Sequence, residues 1–121
     1  MKEIKAYVRT SRVEETVKAL REAGAPGVTA CRVHAAGYGY DPLDFTLAPG
    51  EIHRAPEVAK IEVVCGDQAV ESLVAVIVNA ARTGVPGDGI VLVAPVERAM
   101  RIRTGEGIPA IPASPQERER S

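Results

Sequence analysis

Two short segments in the second half of this 121-residue chain carry residue types that suit anion binding. The first is the glycine-rich stretch 83–89, where glycines allow successive backbone N–H groups to converge on an anion without obstruction by side chains. It follows a helical pattern instead of opening one, so it differs from a P-loop. Because a tight helix-to-strand turn uses the same residues, the pattern alone leaves both interpretations open.

The second segment is Arg101-Ile102-Arg103, which spaces two guanidinium groups two positions apart. On a strand, side chains at this spacing point to one face. The planar guanidinium group matches the oxygens of a phosphate or a carboxylate. A solvated edge strand would carry the same residues, so this segment also has two interpretations.

The residue composition of the chain limits the classes of function that it can have. Apolar residues make up 45% of the chain but aromatic residues only 3%, so the core must be aliphatic, and oligomerisation would support so thin a core. The formal charge of -1 argues against nucleic acid as a partner. The chain lacks a signal-peptide pattern and a long apolar run, so we expect a cytoplasmic protein without membrane insertion. Cys31 and Cys65 lack metal or redox spacing and are expected to be buried thiols.

Periodicity predicts the elements that must position these segments. Alternation of polar and apolar residues indicates strands at residues 2–9 and 57–65, residues 28–36 read as another strand, and the continuous apolar run 90–95 indicates a fourth. Residues 96–103 are expected to form a short helical turn and a further strand. Ser11 and Glu14 form a capping box that predicts the start of a first helix, which Gly24 ends. Asp67 is expected to cap a second helix that runs to about Arg82.

The order strand, helix, strand occurs twice and predicts an α+β fold, the ferredoxin-like βαββαβ arrangement. Residues 37–56, between strands 2 and 3, show no sustained period, and a loop of this length inside a compact domain is usually functional. After residue 108 no periodic apolar face remains. We therefore expect one domain over residues 1–108 and a disordered tail over 109–121.

The two motifs, at their spacing, resemble those of the PII signal transduction proteins. ARTG stands at residues 81–84, GDG at 87–89 and RIRTGE at 101–106. The first half also fits without gaps, including Gly27, Thr29 and Gly37, so the resemblance covers residues 1–108. It implies a homotrimeric regulatory protein that is not an enzyme. It also implies that an adenine nucleotide (ADP, AMP or ATP) is the effector, bound between subunits.

By this resemblance, residues 37–56 are the T-loop, 83–89 the B-loop and 101–106 the C-loop. The implied nucleotide-binding residues are Thr29, Gly37, Glu62, Val64, Gly87, Asp88, Gly89, Arg101 and Arg103. The B-loop members would meet the phosphates, and the two arginines would reach the same phosphates from the neighbouring subunit. Thr29, Glu62 and Val64 would frame the adenine.

The T-loop is the segment through which the resemblance implies control of a membrane transporter or a metabolic enzyme. Three of the four aromatic residues of the chain lie within it, which is consistent with a docking surface. The predicted partner-binding residues are Tyr38, Tyr40, Phe45, His53 and Arg54.

Four positions depart from the family pattern. Gly39 and Val58 replace a Gln and a Lys of the 2-oxoglutarate site, so we expect no standard sensing of 2-oxoglutarate. Glu51 replaces the uridylylated Tyr, so we expect no such modification. Ile90 replaces a phosphate-binding Lys, so ADP or AMP should compete well with ATP. The chain thus resembles a divergent, PII-like branch whose effector, such as bicarbonate or another anion, the sequence does not select.

Two alternatives remain. An enzyme would use His34 or His53 with Asp88 as acid and base, although no nucleophile with a partner stands nearby in the sequence. A trimeric ferredoxin-like module could instead bind metal or serve structure without nucleotide. No ligand spacing supports a metal site at the loop, so none is predicted.

Overall fold

The computed structural model describes residues 1–37, 50, 52–109 and 111. The strands are β1 (Lys2–Arg9), β2 (Thr29–His34), β3 (Glu57–Cys65) and β4 (Gly89–Pro95). The helices are α1 (Val13–Glu22) and α2 (Val70–Ala81). The strands form one sheet in the order β2-β3-β1-β4, and all neighbouring strands are antiparallel. The predicted ferredoxin-like βαββαβ arrangement is confirmed.

One face of the sheet carries the core. Alternate residues of the two central strands point to the helices, so Ile4 on β1 and Ile61 on β3 are fully buried. Leu20 of α1 and Ile77 of α2 meet them from the other side. The buried side chains of the described residues are aliphatic or small, as the composition predicts. This layer holds the ends of β1 and β4 at fixed positions beside the C-terminus of α2.

The other face of the sheet is open. It carries Lys5 and Tyr7 of β1, Glu62 of β3 and Leu92 of β4, because these residues alternate with the buried ones and are paired in register. Among the described residues, no helix packs on this face. Leu92 is 47% exposed, which is unusual for a leucine in the middle of a strand.

Both helices begin later than their predicted caps. Ser11 lies in a short 3-10 turn (Thr10–Arg12), and Asp67 lies in another (Asp67–Ala69). Neither helix has a side-chain hydrogen bond at its N-cap, so the capping box and the Asp67 cap were wrong. The Asp67 carboxylate instead accepts a hydrogen bond of 2.9 Å from the Met1 amino group. The extra turn separates each polar residue from the helix that it was expected to cap.

The end of α1 follows the prediction. Gly24 has a φ of 85°, which L side chains rarely adopt. Its N–H donates to Arg21, and the N–H of Ala25 donates to Leu20. These two hydrogen bonds form a Schellman motif, which ends the helix and turns the chain towards β2.

The two cysteines differ. Cys65 is fully buried in the core, as expected, whereas Cys31 is exposed. Cys31 lies on the edge strand β2, and its partner in register is Lys60, on the open face of the sheet. The prediction of a buried thiol is wrong for Cys31, because apolar alternation does not tell which face the helices cover.

Gly89→Ala should lower the free energy of unfolding by at least about 2 kcal/mol, because the new side chain meets both strain and a clash. Gly89 has a φ of 107°, and a Cβ atom there would lie 1.8 Å from the Tyr7 carbonyl oxygen. Chemical denaturation at fixed protein concentration measures the change. Gly27→Ala is the matched control, since a Cβ at Gly27 has open space. Equal destabilisation by the two variants would contradict this packing.

Candidate functional site

The B-loop is organised around one carboxylate. Asp88 accepts hydrogen bonds from the backbone N–H groups of Thr83 and Gly84, each at 2.9 Å. The Thr83 hydroxyl donates to the same carboxylate. Through these contacts, the Asp88 side chain closes the loop that connects the end of α2 to the start of β4. The B-loop backbone is therefore held in a defined shape by hydrogen bonds within the loop.

Arg9, the last residue of β1, anchors this loop through hydrogen bonds. Its Nε donates to Asp88 Oδ1 at 3.0 Å, and its Nη2 donates to the carbonyl oxygens of Val85 and Pro86 at 3.2 and 2.8 Å. Sequence reasoning missed Arg9, which is 79 residues from Asp88. The pairing of Val8 with Gly89 brings the two segments together.

Hydrogen bonds from Thr83, with further ones from Gly84 and Arg9, hold the pKa of the Asp88 carboxyl far below its usual range. A carboxylate that stays ionised and has its oxygens occupied is unsuited to act as a general base near neutral pH. Its negative charge would also repel a phosphate. The Asp88 side chain therefore organises the loop and is unsuited to contact a phosphate.

Thr29, Glu62 and Val64 form a second group. Thr29 is the register partner of Glu62, and both lie with Val64 on the open face of the sheet. Thr29 is exposed, whereas Glu62 and Val64 are partly buried. Glu62 pairs with Lys60 at 3.5 Å, so its carboxylate has a cation beside it. The structure thus brings the three predicted adenine-binding residues together.

Arg101 and Arg103 lie in a tight turn and not on the strand that was expected. The N–H of Gly105 donates to the Arg101 carbonyl at 2.8 Å, and the turn is closed by a bridge between Met100 and Gly107. The strand prediction was wrong because Gly105, with a φ of 70°, reverses the chain. Arg101 Nε is buried and has no hydrogen-bond partner among the described residues, whereas Arg103 is exposed.

Within one chain, the B-loop lies apart from the group formed by Thr29, Glu62 and Val64. Gly89 is level with Val8, but Glu62 is level with Lys5, so about 10 Å of strand separates them. Thr29 on β2 is three strand spacings from β4, about 14 Å across the sheet. The turn with Arg101 starts from the end of the sheet where the N–H of Val96 donates to Met1, which is away from the B-loop. One chain does not bring all the predicted residues together.

The base of the T-loop lies at the same end of the sheet as the B-loop. The N–H of Ala35 donates to Pro56 at 3.0 Å, and His34 Nδ1 lies 2.9 Å from the Ala55 carbonyl oxygen, so the two stems are joined. Gly37 follows with a φ of 82°. The exposed His53 and Arg54 lie in a 3-10 turn, Ile52–Arg54. The predicted contacts of Tyr38, Tyr40 and Phe45, and the positions of Gly39 and Glu51, lie outside the described residues.

The two described positions that lack the family's lysine share one apolar cluster. Val58 is 4% exposed and packs with Ala35, and Tyr7, Val33 and Ile90 surround them. Tyr7 and Ile90 are partners in register, as are Val33 and Val58. An apolar cluster thus lies at the two positions where the resemblance places lysines. It borders an apolar cleft of about 460 Å³ between α2 and strands β1 and β4, next to the B-loop.

No group of three or more His, Cys, Asp or Glu within residues 1–37, 50, 52–109 and 111 could hold a metal ion. In the same part of the chain, no helix is long and apolar enough to cross a bilayer.

Asp88 should remain ionised at pH 3, where an ordinary aspartate with a pKa of 3.8 is mostly protonated. A lowered pKa stabilises the fold above pH 3.8, and this contribution is lost only as the pH falls through the lower value of the folded state. Following the 13C shift of the Asp88 carboxyl by NMR between pH 7 and pH 2 tests this. Thr83→Ala should raise the pKa, whereas Thr104→Ala, at a distant turn, should not. An unshifted titration in the wild type would refute the hydrogen-bond network.

Comparison with known proteins agrees with this geometry. A family model described as nitrogen regulatory protein P-II matches residues 1–106. Nitrogen regulatory protein P-II of Mesorhizobium japonicum is 41% identical over 109 residues, which cover 88% of this chain and 95% of that protein. The protein of the same name from Bradyrhizobium diazoefficiens is 40% identical over 115 residues, which cover 92% of this chain and 100% of that protein. The match spans both motifs and all four strands, and the chain therefore belongs to the P-II family of nitrogen regulatory proteins.

Proposed function

We propose that this chain is a cytoplasmic, PII-type signalling subunit that assembles as a homotrimer and binds ADP, AMP or ATP between subunits. The bound nucleotide sets the conformation of the T-loop, and through it the chain controls a transporter or a metabolic enzyme. The protein acts by binding and carries out no chemistry on a substrate. The separation of the two groups of site residues within one chain is the observation that carries this proposal.

The separation has a simple physical consequence. A ligand that meets the B-loop with its phosphates and Thr29, Glu62 and Val64 with its base would have to cross the open face of one sheet. Two adjacent copies avoid this, because the B-loop of one copy can face the strands and the C-loop of the next. Repetition of such a head-to-tail contact by rotation gives a closed ring. A trimer then holds three equivalent clefts.

The residues present fit a phosphate group. Gly87 and Gly89 have φ values of 104° and 107° and carry no side chain that would cover their N–H groups. The unpartnered Arg101 Nε is a buried donor, and such a group is costly unless an acceptor reaches it. Arg103 is exposed and free to reach a neighbour. A phosphate between two adjacent copies would accept hydrogen bonds from the B-loop of one copy and from the C-loop of the other.

The open face of the sheet suits assembly. It is made of alternating charged and apolar side chains, with Lys5 and Glu62 opposite each other in register and Leu92 next to them. A sheet normally buries one face on helices, and a second face with exposed leucine is a candidate for contact with another chain. Burial of this face would also enlarge the thin aliphatic core.

The apolar cluster around Val58 and Ile90 supports a changed effector. Cationic side chains favour the binding of a dicarboxylate or a γ-phosphate, and neither Val58 nor Ile90 provides a cation. We therefore propose that 2-oxoglutarate does not bind at the usual place and that ADP or AMP competes with ATP. A different small molecule or an anion such as bicarbonate is left as the second signal.

The alternatives receive no support from the comparisons. The relatives are named as regulatory proteins, and neither a metal-binding nor a structural ferredoxin-like module is among the names. The enzyme alternative needs Asp88 as a proton acceptor, and its lowered pKa opposes that role.

Calorimetric titration with ATP, ADP and AMP should give dissociation constants in the micromolar range, and Arg103→Ala should weaken binding by about 100-fold, because charge-assisted hydrogen bonds are strong. The titrations are repeated with 2-oxoglutarate and with bicarbonate. Arg98→Ala is the control, since Arg98 is an exposed arginine on the same segment. Absence of binding by the wild type, or an equal loss in both variants, would contradict the proposal. Cooperative binding of 2-oxoglutarate would contradict the changed effector site.

Subunit mixing should test the shared cleft. Arg103→Ala removes the C-loop half, and Gly87→Asp places a carboxylate in the B-loop half. Each variant alone should bind nucleotide only weakly, but a refolded equal mixture should recover about a quarter of the clefts at wild-type affinity, since an intact cleft needs one half from each variant. If both halves came from one chain, mixing would recover nothing. Native mass spectrometry of the mixture gives the number of subunits and of bound nucleotides.

A further inference from the structure

Arg9 makes three hydrogen bonds to the B-loop, although it lies on another element. Its Nε pairs with Asp88 at 3.0 Å, and its Nη2 holds the carbonyl oxygens of Val85 and Pro86. The Arg9 side chain is 29% exposed and the Asp88 side chain 27%, so the pair is partly shielded from water.

The bond to Pro86 sets the direction of the next backbone donor. In a trans peptide, the C=O of one residue and the N–H of the next point in opposite directions. Because Arg9 donates to the Pro86 carbonyl oxygen at 2.8 Å, the N–H of Gly87 in the same peptide unit points away from Arg9. Gly87, with a φ of 104°, can hold this orientation without strain on a side chain.

The ion pair between Arg9 and Asp88 also has an electrostatic effect next to Gly87. Asp88 is ionised and lies one residue from Gly87, where its charge would oppose a phosphate. The guanidinium group of Arg9 offsets that charge at 3.0 Å. Loss of Arg9 would therefore release the Pro86 carbonyl and leave an uncompensated carboxylate beside the B-loop.

We propose that Arg9 is a positioning residue for nucleotide binding: it aims the Gly87 N–H at the phosphate and cancels the charge of Asp88. This inference rests on the proposed function. It implies a graded effect along the nucleotide, because the B-loop meets the phosphates farthest from the adenine. ADP and ATP depend on Arg9, and AMP, whose single phosphate is next to the ribose, depends on it less.

The test compares Arg9→Met, Arg9→Lys and the wild type by calorimetric titration with AMP, ADP and ATP. Arg9→Met should weaken ADP and ATP about tenfold, equivalent to ~1.4 kcal/mol, and AMP less than about threefold. Arg9→Lys should fall between, because an ammonium group cannot hold Asp88 and both carbonyls in one geometry. Arg12→Met is the matched control: Arg12 holds the Ala80 carbonyl of α2 at 2.6 Å and does not touch the B-loop. It should destabilise the fold without a change in nucleotide selectivity.

The outcomes separate the two proposals. If the wild type binds no adenine nucleotide, the proposed function fails. If the wild type binds and Arg9→Met binds all three nucleotides equally well, or loses all three by the same factor as Arg12→Met, Arg9 is structural only and the inference fails. Selective loss of ADP and ATP, partly rescued by lysine, supports it. The NMR shift of the Gly87 amide in the nucleotide-free protein should also move in Arg9→Met and not in Arg12→Met.

Discussion

The Asp88 carboxylate, with its donors, is the interaction on which the candidate site depends. Two backbone N–H groups, the Thr83 hydroxyl and the Arg9 guanidinium group meet on it. Every lone-pair direction of the carboxylate is thus used inside the loop, and none is offered to a ligand. The carbonyl oxygens of Val85 and Pro86 are held by Arg9 in the same network. Under the proposed function, a loop held in this way would lose little conformational entropy when an anion binds.

The sheet imposes the second constraint. Because β1 is central and antiparallel to both neighbours, its C-terminal end lies beside the start of β4, and its N-terminal end beside the end of β4. The B-loop and the segment that leads to the C-loop therefore emerge at different ends. The same topology that forms the core places the predicted site residues on two surfaces of one chain. Under the proposed function, symmetric assembly would reunite them.

Under the proposed function, the apolar cluster of Val58, Ile90 and Ala35 would combine a change of effector with a change of packing. Two lysines in this position would keep apart by mutual repulsion and need anions nearby. Two aliphatic side chains attract each other and bury apolar area instead. The cluster also fixes the base of the T-loop, because Ala35 and Pro56 close its stem. Nucleotide and loop would then be coupled through packing, without a bridging dicarboxylate.

The sequence by itself determined the strands, the order of elements and the Gly24 helix end, because each depends on local periodicity or on backbone freedom at one residue. It also carried the two motifs on which the family resemblance rests. Only the tertiary structure decided that Arg9 joins the B-loop, that Cys31 is exposed and that Arg101 and Arg103 lie in a turn. Helix starts were also misjudged, since the 3-10 turns before α1 and α2 leave Ser11 and Asp67 outside their caps. These features depend on contacts between residues far apart in the chain, 79 positions for Arg9 and Asp88, and such contacts leave no periodic trace in the sequence.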